Sequence, residues 1–321
     1  MIDFKYLTSD MNVDRQTFYS TSGLTWQTWT KPKGRSMAYM LIIGGGGGGG
    51  TGTQFFGFVN TQGGAGGGAG GITSLLVPFF LIPDTLYIQP GTFGTGGPFE
   101  NGGSASGQPG AASYVSVYPN TNANNVLAQA NGGGAGFAVT TTPGVGGAPI
   151  LATSTTKPRY FSLCNVTSYA GQDGGGGSNT GNNSSRTFTS PWSSLVINSI
   201  ATGGAGGGGG GDGYEFGAAG GYGGSIIGGD DLSTFLKDVN GGPAAAGAGG
   251  AGGDGYFNLK PWLSVGGAGS GGQVNYVSGG AIAGKANGYG SGGGGAGPGS
   301  ANDGAAIGGD GAPGIVIIIS Y

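Results

Sequence analysis

The side chains in this chain that could do chemistry are few and scattered. Histidine is absent, which removes the commonest general base, the usual serine and cysteine triads and most zinc and iron sites. Glu100 and Glu215 are the only glutamates. Two aspartates could cleave a glycan if their carboxylates stood about 5–9 Å apart. Asp230 and Asp231 are adjacent, however, and neighbouring residues of an extended chain point to opposite sides. The stretch 279–286, GGAIAGKA, matches a P-loop through Gly284 and Lys285. Ala286 stands where Ser or Thr must hold magnesium and no helix pattern follows, so phosphate binding is not expected. GDG triplets at Asp212, Asp254 and Asp310 offer oxygen ligands to calcium. Their spacing departs from the calcium-binding nonapeptide repeat, and turn formation at the ends of glycine runs is the expectation. Cys164, the single cysteine, reads as a small buried apolar residue and allows no intrachain disulfide. NVT at Asn165 and NNS at Asn182 match glycosylation acceptors that a chain without a secretory leader leaves idle. No catalytic residue, metal or cofactor is expected.

With chemistry sparse, composition carries the reading. Glycine supplies 84 of 321 residues, about a quarter where about 7% is usual. Such an excess commonly marks disorder, because glycine loses the most conformational entropy on folding. The other marks of disorder are missing: charged residues are 8%, hydrophobic residues 36% and aromatics 10%, enough apolar surface to drive folding. A net charge of −3 with 11 dispersed basic residues argues against a nucleic-acid partner or a polybasic membrane anchor. Lys31, Lys33 and Arg35 cluster around Pro32 and Gly34, as at a solvated turn. The start lacks a signal-peptide pattern and the run Leu75 to Ile82 is too short to span a bilayer. A soluble protein made in a cytoplasm, without membrane insertion, is expected.

Two kinds of segment alternate. Thr25 to Thr30, Met37 to Ile43, Ile72 to Phe80, Thr85 to Gln89, Tyr114 to Tyr118, Arg159 to Cys164, Leu195 to Ile200 and Ile315 to Tyr321 are rich in β-branched and aromatic residues and read as strands. No window carries a capped 3.6-residue period, so almost no helix is expected. Glycine runs fill the rest, among them Gly44 to Gly50, Gly63 to Gly71, Gly132 to Gly136, Gly203 to Gly211, Gly241 to Gly253 and Gly288 to Gly299. Ten flexible linkers in one domain are not credible, and collagen needs a strict triplet with abundant proline. The remaining reading is extended rods of the polyproline-II type, three residues per turn, with every N–H and C=O pointing outward to pair with a neighbouring rod.

These features together resemble the glycine-rich adhesin domain at the tips of bacteriophage tail fibres and in related virion proteins. The residues that carry the likeness are the TWTKPKG turn, MAYMLII running into GGGGGGG, GGAGGGAGGI, IPDTLYIQPG, ANGGGAG and the closing GGDGAPGIVIIISY. It covers about Leu24 to Gly136 and Ala201 to Tyr321; Pro149 to Ser199, rich in Ser, Thr and Asn, lies outside the pattern as a possible insertion. The resemblance implies an all-β plus polyglycine-II fold. A small β-sandwich framework is joined to a bundle of packed glycine-rich extended rods, with loops at one end of the bundle reading a receptor.

A docking arm at 1–20 and a single domain over 21–321 are therefore expected. Aromatic loop residues provide contact area with few rotors, and Phe55, Phe56, Tyr214, Phe216, Tyr256, Phe257 and Trp262 are the receptor-contact candidates. Phe4, Tyr6 and Leu7 are the docking candidates. The expected partners are other virion proteins through the arm and a host surface protein or glycan through the loops, on a virion surface, with a homo-oligomer possible. A structural virion component that binds no receptor is the alternative.

Overall fold

The computed structural model describes residues 13–52, 63–98, 104–138, 164–171, 173–177, 282–297 and 307–321, together with Asp254 and short strand pieces between 187 and 274. Apart from one 3-10 turn at Phe79–Leu81, the regular structure of these residues is β. The longer strands are β1 (Asp14–Tyr19), β2 (Gln27–Thr30), β3 (Met37–Ile43), β4 (Ile72–Pro78), β5 (Thr85–Gln89), β6 (Ser113–Ser116), β7 (Val126–Ala130) and β8 (Asn165–Tyr169). Shorter pieces follow: β9 (Thr187–Thr189), β10 (Ala201–Thr202), β11 (Ser225–Ile227), β12 (Ala245–Ala246), β13 (Phe257–Leu259), β14 (Trp262–Ser264) and β15 (Gln273–Val274). The last strand is β16 (Ile315–Ser320).

Two antiparallel sheets dominate. One has the order β1-β16-β3-β4-β8, the other β2-β5-β6-β7. They share one core, to which β3 contributes Ala38, Met40 and Ile42, β16 Val316 and Ile318, and the second sheet Trp29, Leu86, Ile88, Val115 and Ala128. Trp29 is fully buried and meets Phe79 edge-on, ring centroids 5.9 Å apart. The alternate residues Leu41, Ile43, Ile315, Ile317 and Ile319 form a second cluster on the opposite face of the five-stranded sheet. Burial on both faces is why MAYMLII and IVIIIS read as continuous apolar runs instead of alternating ones.

Each long strand except β1 and β2 continues directly into a glycine-rich segment. β3 runs into 44–52, β5 into 90–98, β7 into 131–138 and β8 into 170–171; 63–71, 104–112 and 307–314 run into β4, β6 and β16. Segment 44–51 is the axis of this array, and its bonds repeat every three residues. The amides of Gly44, Gly47 and Gly50 donate to the carbonyls of Gly71, Gly68 and Ala65 at 3.0, 2.9 and 2.8 Å. Those of Gly45, Gly48 and Thr51 donate to Ala111, Gln108 and Ala105, and those of Gly46 and Gly49 to Ala312 and Gly309. Its carbonyls accept in the same rotation: Gly45 and Gly48 from Gly133 and Gly136, Gly46 and Gly49 from Gly94 and Gly97, Gly47 and Gly50 from Gly293 and Ala296. Three antiparallel neighbours receive its donors and three parallel neighbours supply its acceptors.

The surrounding segments close the ring among themselves. Gly68 donates to Gly134, Gly110 to Gly133, Gln108 to Thr95, Gly311 to Gly94, Ala312 to Ser291 and Gly67 to Gly293. An added Cβ on any residue from Gly44 to Gly50 would lie closer than 3.0 Å to a neighbouring backbone oxygen. Glycine is therefore obligatory along the axis because backbone fills the space on all sides.

The strands expected at 37–43 and 85–89 form with those bounds. The strand expected from Ile72 to Phe80 stops at Pro78, whose ring ends the ladder; the chain turns, burying Phe79 and exposing Phe80. Residues 14–19, within the 1–20 stretch expected as a docking arm, form edge strand β1, with Phe18 in the core. Its polar sequence, DRQTFY, hid it. Strand β7, VLAQA, escaped notice because alanine has low strand propensity. Strands expected at 159–164 and 195–200 fall on residues outside those described, apart from Cys164, which precedes β8.

Candidate binding surfaces

The register of the glycine segments defines two ends of the molecule. Gly50 is level with Ala65 and Ala296, Thr51 with Ala105, Gly49 with Gly97 and Gly309, and Gly48 with Gly136. Residues near 51, 64, 98, 105, 137, 296 and 308 therefore gather at the end farthest from the sheets. Thr51 fastens this end: its hydroxyl donates to the Ala105 carbonyl at 3.1 Å and accepts the Ala105 amide at 2.7 Å. Ser106 Oγ accepts the amide of Ala138 at 3.1 Å, and the Phe137 ring beside it is exposed.

The described residues that flank 53–62, 99–103 and 298–306 lie at this far end. The first of these segments contains Phe55 and Phe56, which lie outside the described residues, as do Tyr214, Phe216 and Tyr256. Phe257 and Trp262 fall on a two-stranded hairpin, β13 and β14, in which Leu259 pairs with Trp262 and Phe257 with Ser264. The docking candidates Phe4, Tyr6 and Leu7 also lie outside the described residues.

The opposite end carries the Lys31–Asp84 ion pair. Asp14 pairs with Ser320 and Tyr19 with Ile315, so β1 begins at the sheet margin remote from the glycine segments. Lys31 is anchored there: its ammonium meets Asp84 Oδ1 at 3.0 Å, donates to the Ile82 carbonyl at 2.8 Å and sits 5.6 Å from the centre of the Phe79 ring. Gly34, at φ +77°, makes the turn that the Lys31 to Arg35 cluster was expected to form. Lys31 and Asp84 here hold the turn, beside which Lys33 is exposed and Arg35 half-buried.

Asp310 does not form a turn. Its Oδ1 accepts the Gly96 amide at 2.9 Å and its Oδ2 lies 3.6 Å from Lys285 Nζ, while Asp254 Oδ1 accepts the Lys285 amide at 3.0 Å. These carboxylates take the place of a neighbouring backbone carbonyl at the margin of the array. The Gly-Lys pair of the apparent P-loop lies in non-helical chain, with Lys285 engaged by both aspartates. Burial pushes the Cys164 thiol above its ordinary range, which favours the unreactive protonated form. Among the described residues no group of three potential ligands could hold a metal ion, and no helix is long and apolar enough to cross a membrane.

The roles of Thr51 and Asp310 went unrecognised on sequence. The available signal was a hydrogen-bonding side chain interrupting a glycine run near its end. Compared with family models and with curated proteins, the sequence finds no match in either.

Proposed function

We propose that this chain is a bacteriophage virion-surface adhesin in which polyglycine-II rods, carried on a β-sandwich frame, present loops to a receptor on the host cell. The rod reading is supported by the three-residue repeat of donors and acceptors along 44–51, the period of a polyglycine-II helix. The sandwich reading is supported by the core common to the two antiparallel sheets.

The observation that carries the functional reading is polarity. Val13 stands beside β1 at the margin remote from the glycine segments, while the described residues that flank 53–62, 99–103 and 298–306 lie at the far end. A body attached to a particle through the chain preceding Val13 would hold that end outward. The far end is also cross-bonded down to Thr51, so it offers a stiff platform on which loops can vary at little cost to the fold.

Replacing 53–62 with a Gly-Ser segment of equal length and measuring adsorption to host cells tests this reading. Loss of adsorption by a protein with unchanged melting temperature is the expected result. Unchanged adsorption, with the protein located by microscopy in a continuous shell or collar, would favour a structural virion component instead.

A further inference from the structure

The outer face of the four-stranded sheet is a second surface with its own chemistry. Strands β2, β5, β6 and β7 alternate, sending Trp29, Leu86, Ile88, Val115 and Ala128 into the core. Their partners in the alternation form cross-strand rows on the other side. Thr30 faces Thr85, Thr28 faces Tyr87, and Gln89 faces Tyr114, which faces Gln129. Trp26, one residue before β2, extends the last row: its ring lies 6.4 Å from that of Tyr114, tilted by 42°. Gln89 is buried beneath this pair, its amide held by the Leu24 carbonyl at 2.8 Å. Trp26, Tyr87, Tyr114 and Gln129 are half-buried, and Thr28 and Thr30 are exposed.

No charged residue occurs in any of the four strands, and Glu100 is the only charged residue between Asp84 and Lys157. The four strands therefore present aromatic rings, hydroxyls and carboxamides with no charge of their own, bordered at one end by the Lys31–Asp84 ion pair. The row from Trp26 to Gln129 crosses three strand spacings, roughly 14 Å. With strands of four or five residues, roughly 17 Å long, the face covers about 240 Å², far short of the roughly 800 Å² per partner of a standard protein interface. It suits a narrow, uncharged ligand whose C–H faces stack on rings while its hydroxyls bond to Thr, Tyr and Gln side chains.

We propose that this face binds a neutral glycan chain, independently of the connections at the far end. Trp26 and Tyr114 supply the stacking platform, and Thr28, Tyr87 and Gln129 the polar contacts.

The test is titration of the intact chain with maltohexaose, chitohexaose and galactan oligomers as neutral probes, and with polygalacturonate and polysialic acid as acidic ones. Binding to at least one neutral probe is expected, weakened about ten-fold or more by Trp26→Ala or Tyr114→Ala. Thr28→Glu, a charge placed at an exposed position, should abolish binding without moving the melting temperature. Tyr118→Ala, outside the face, should leave it intact. Failure of every neutral probe, binding to acidic probes alone, or binding unaffected by Thr28→Glu would overturn the proposal. So would a change of sedimentation in Thr28→Glu alone, which would mean that a second copy of the chain covers the face. Adsorption lost on replacing 53–62 while oligosaccharide binding persists would separate this surface from the far-end loops.

Discussion

Ser113 Oγ donates to the carbonyl oxygen of Ile43 at 2.6 Å, fully buried, at the point where β3 becomes the axial glycine segment. Ser113 Oγ also accepts the amide of Gly91 at 2.8 Å and lies 2.5 Å from where a Cβ on Gly314 would stand. One hydroxyl thus joins the strand-to-glycine transitions of three chain segments. Ser113→Ala leaves the buried Gly91 amide without a partner and takes one donor from the Ile43 carbonyl, which keeps its place in the ladder with Ile315, and should cost about 1–3 kcal/mol. Urea unfolding checks this, with Ser116→Ala, whose hydroxyl bonds only Asn125 and Tyr118 in a surface loop, as the milder comparison.

The axis should tolerate no side chain. Gly47→Ala drives a methyl group into the Gly134 carbonyl, which is itself bonded to Gly68 and cannot retreat. We expect a loss of about 3 kcal/mol or more, or no soluble protein. Ser106→Gly, at an exposed position of a peripheral segment, should lie within about 1 kcal/mol of the parent. Thermal denaturation of the pair distinguishes filled space from a general intolerance of substitution.

Exposed side chains on the outer segments should limit lateral growth of the array. Phe93, Thr95, Gln108 and Pro109 are exposed, whereas the inward positions Gly94, Gly107 and Gly97 are buried. A bare glycine edge would offer unpaired N–H and C=O groups to another copy, as an unprotected sheet edge does. Combined Thr95→Gly, Gln108→Gly and Pro109→Gly substitution should produce concentration-dependent association in analytical ultracentrifugation, with the parent chain unchanged over the same range.

Asp310 should matter for its oxygen and little for its charge. Asp310→Asn keeps an acceptor for the Gly96 amide and should cost less than about 1 kcal/mol, because the ion pair to Lys285 is largely exposed. Asp310→Ala removes the acceptor and should cost about 1–2 kcal/mol. Chemical denaturation at low and high salt measures both, and the difference between them should persist in high salt.

Alkaline stability should follow the buried phenols. Burial raises Tyr39, with nearby Tyr169 and Tyr321 adding and a hydrogen bond with Ser74 opposing; burial also raises Tyr289 and Tyr321. The folded state then retains protons that the unfolded chain releases near pH 10, so the stability in question is whole below about pH 10 and falls as pH rises through the folded values. Melting temperatures from pH 8 to 11 should show this decline, and Tyr39→Phe should make it shallower.

The legible part of the fold was the part with strong local chemistry. MAYMLII and TLYIQ announced strands because β-branched and aromatic residues fill them, and uninterrupted glycine could satisfy its backbone only by pairing with more glycine. Edge strand β1 gives little signal because four of its six residues are polar, and β7 because alanine carries no strand signal. The far-end surface was legible only as aromatics between glycine runs. Thr51 and Asp310 bond to carbonyls and amides distant in sequence, a relation that appears only once the segments have been set side by side. The platform of Trp26 and Tyr114 depends likewise on the register across β2, β5 and β6.

The three-residue rotation of bonds along 44–51 also constrains how the chain can change in length. Removing one residue from the axis would turn every later donor by a third of a revolution, toward a neighbour whose carbonyls lie at the wrong height. Removing three would restore each donor to its own neighbour, one level lower. Viable insertions and deletions within these segments should therefore come in triplets of residues, nine nucleotides at a time.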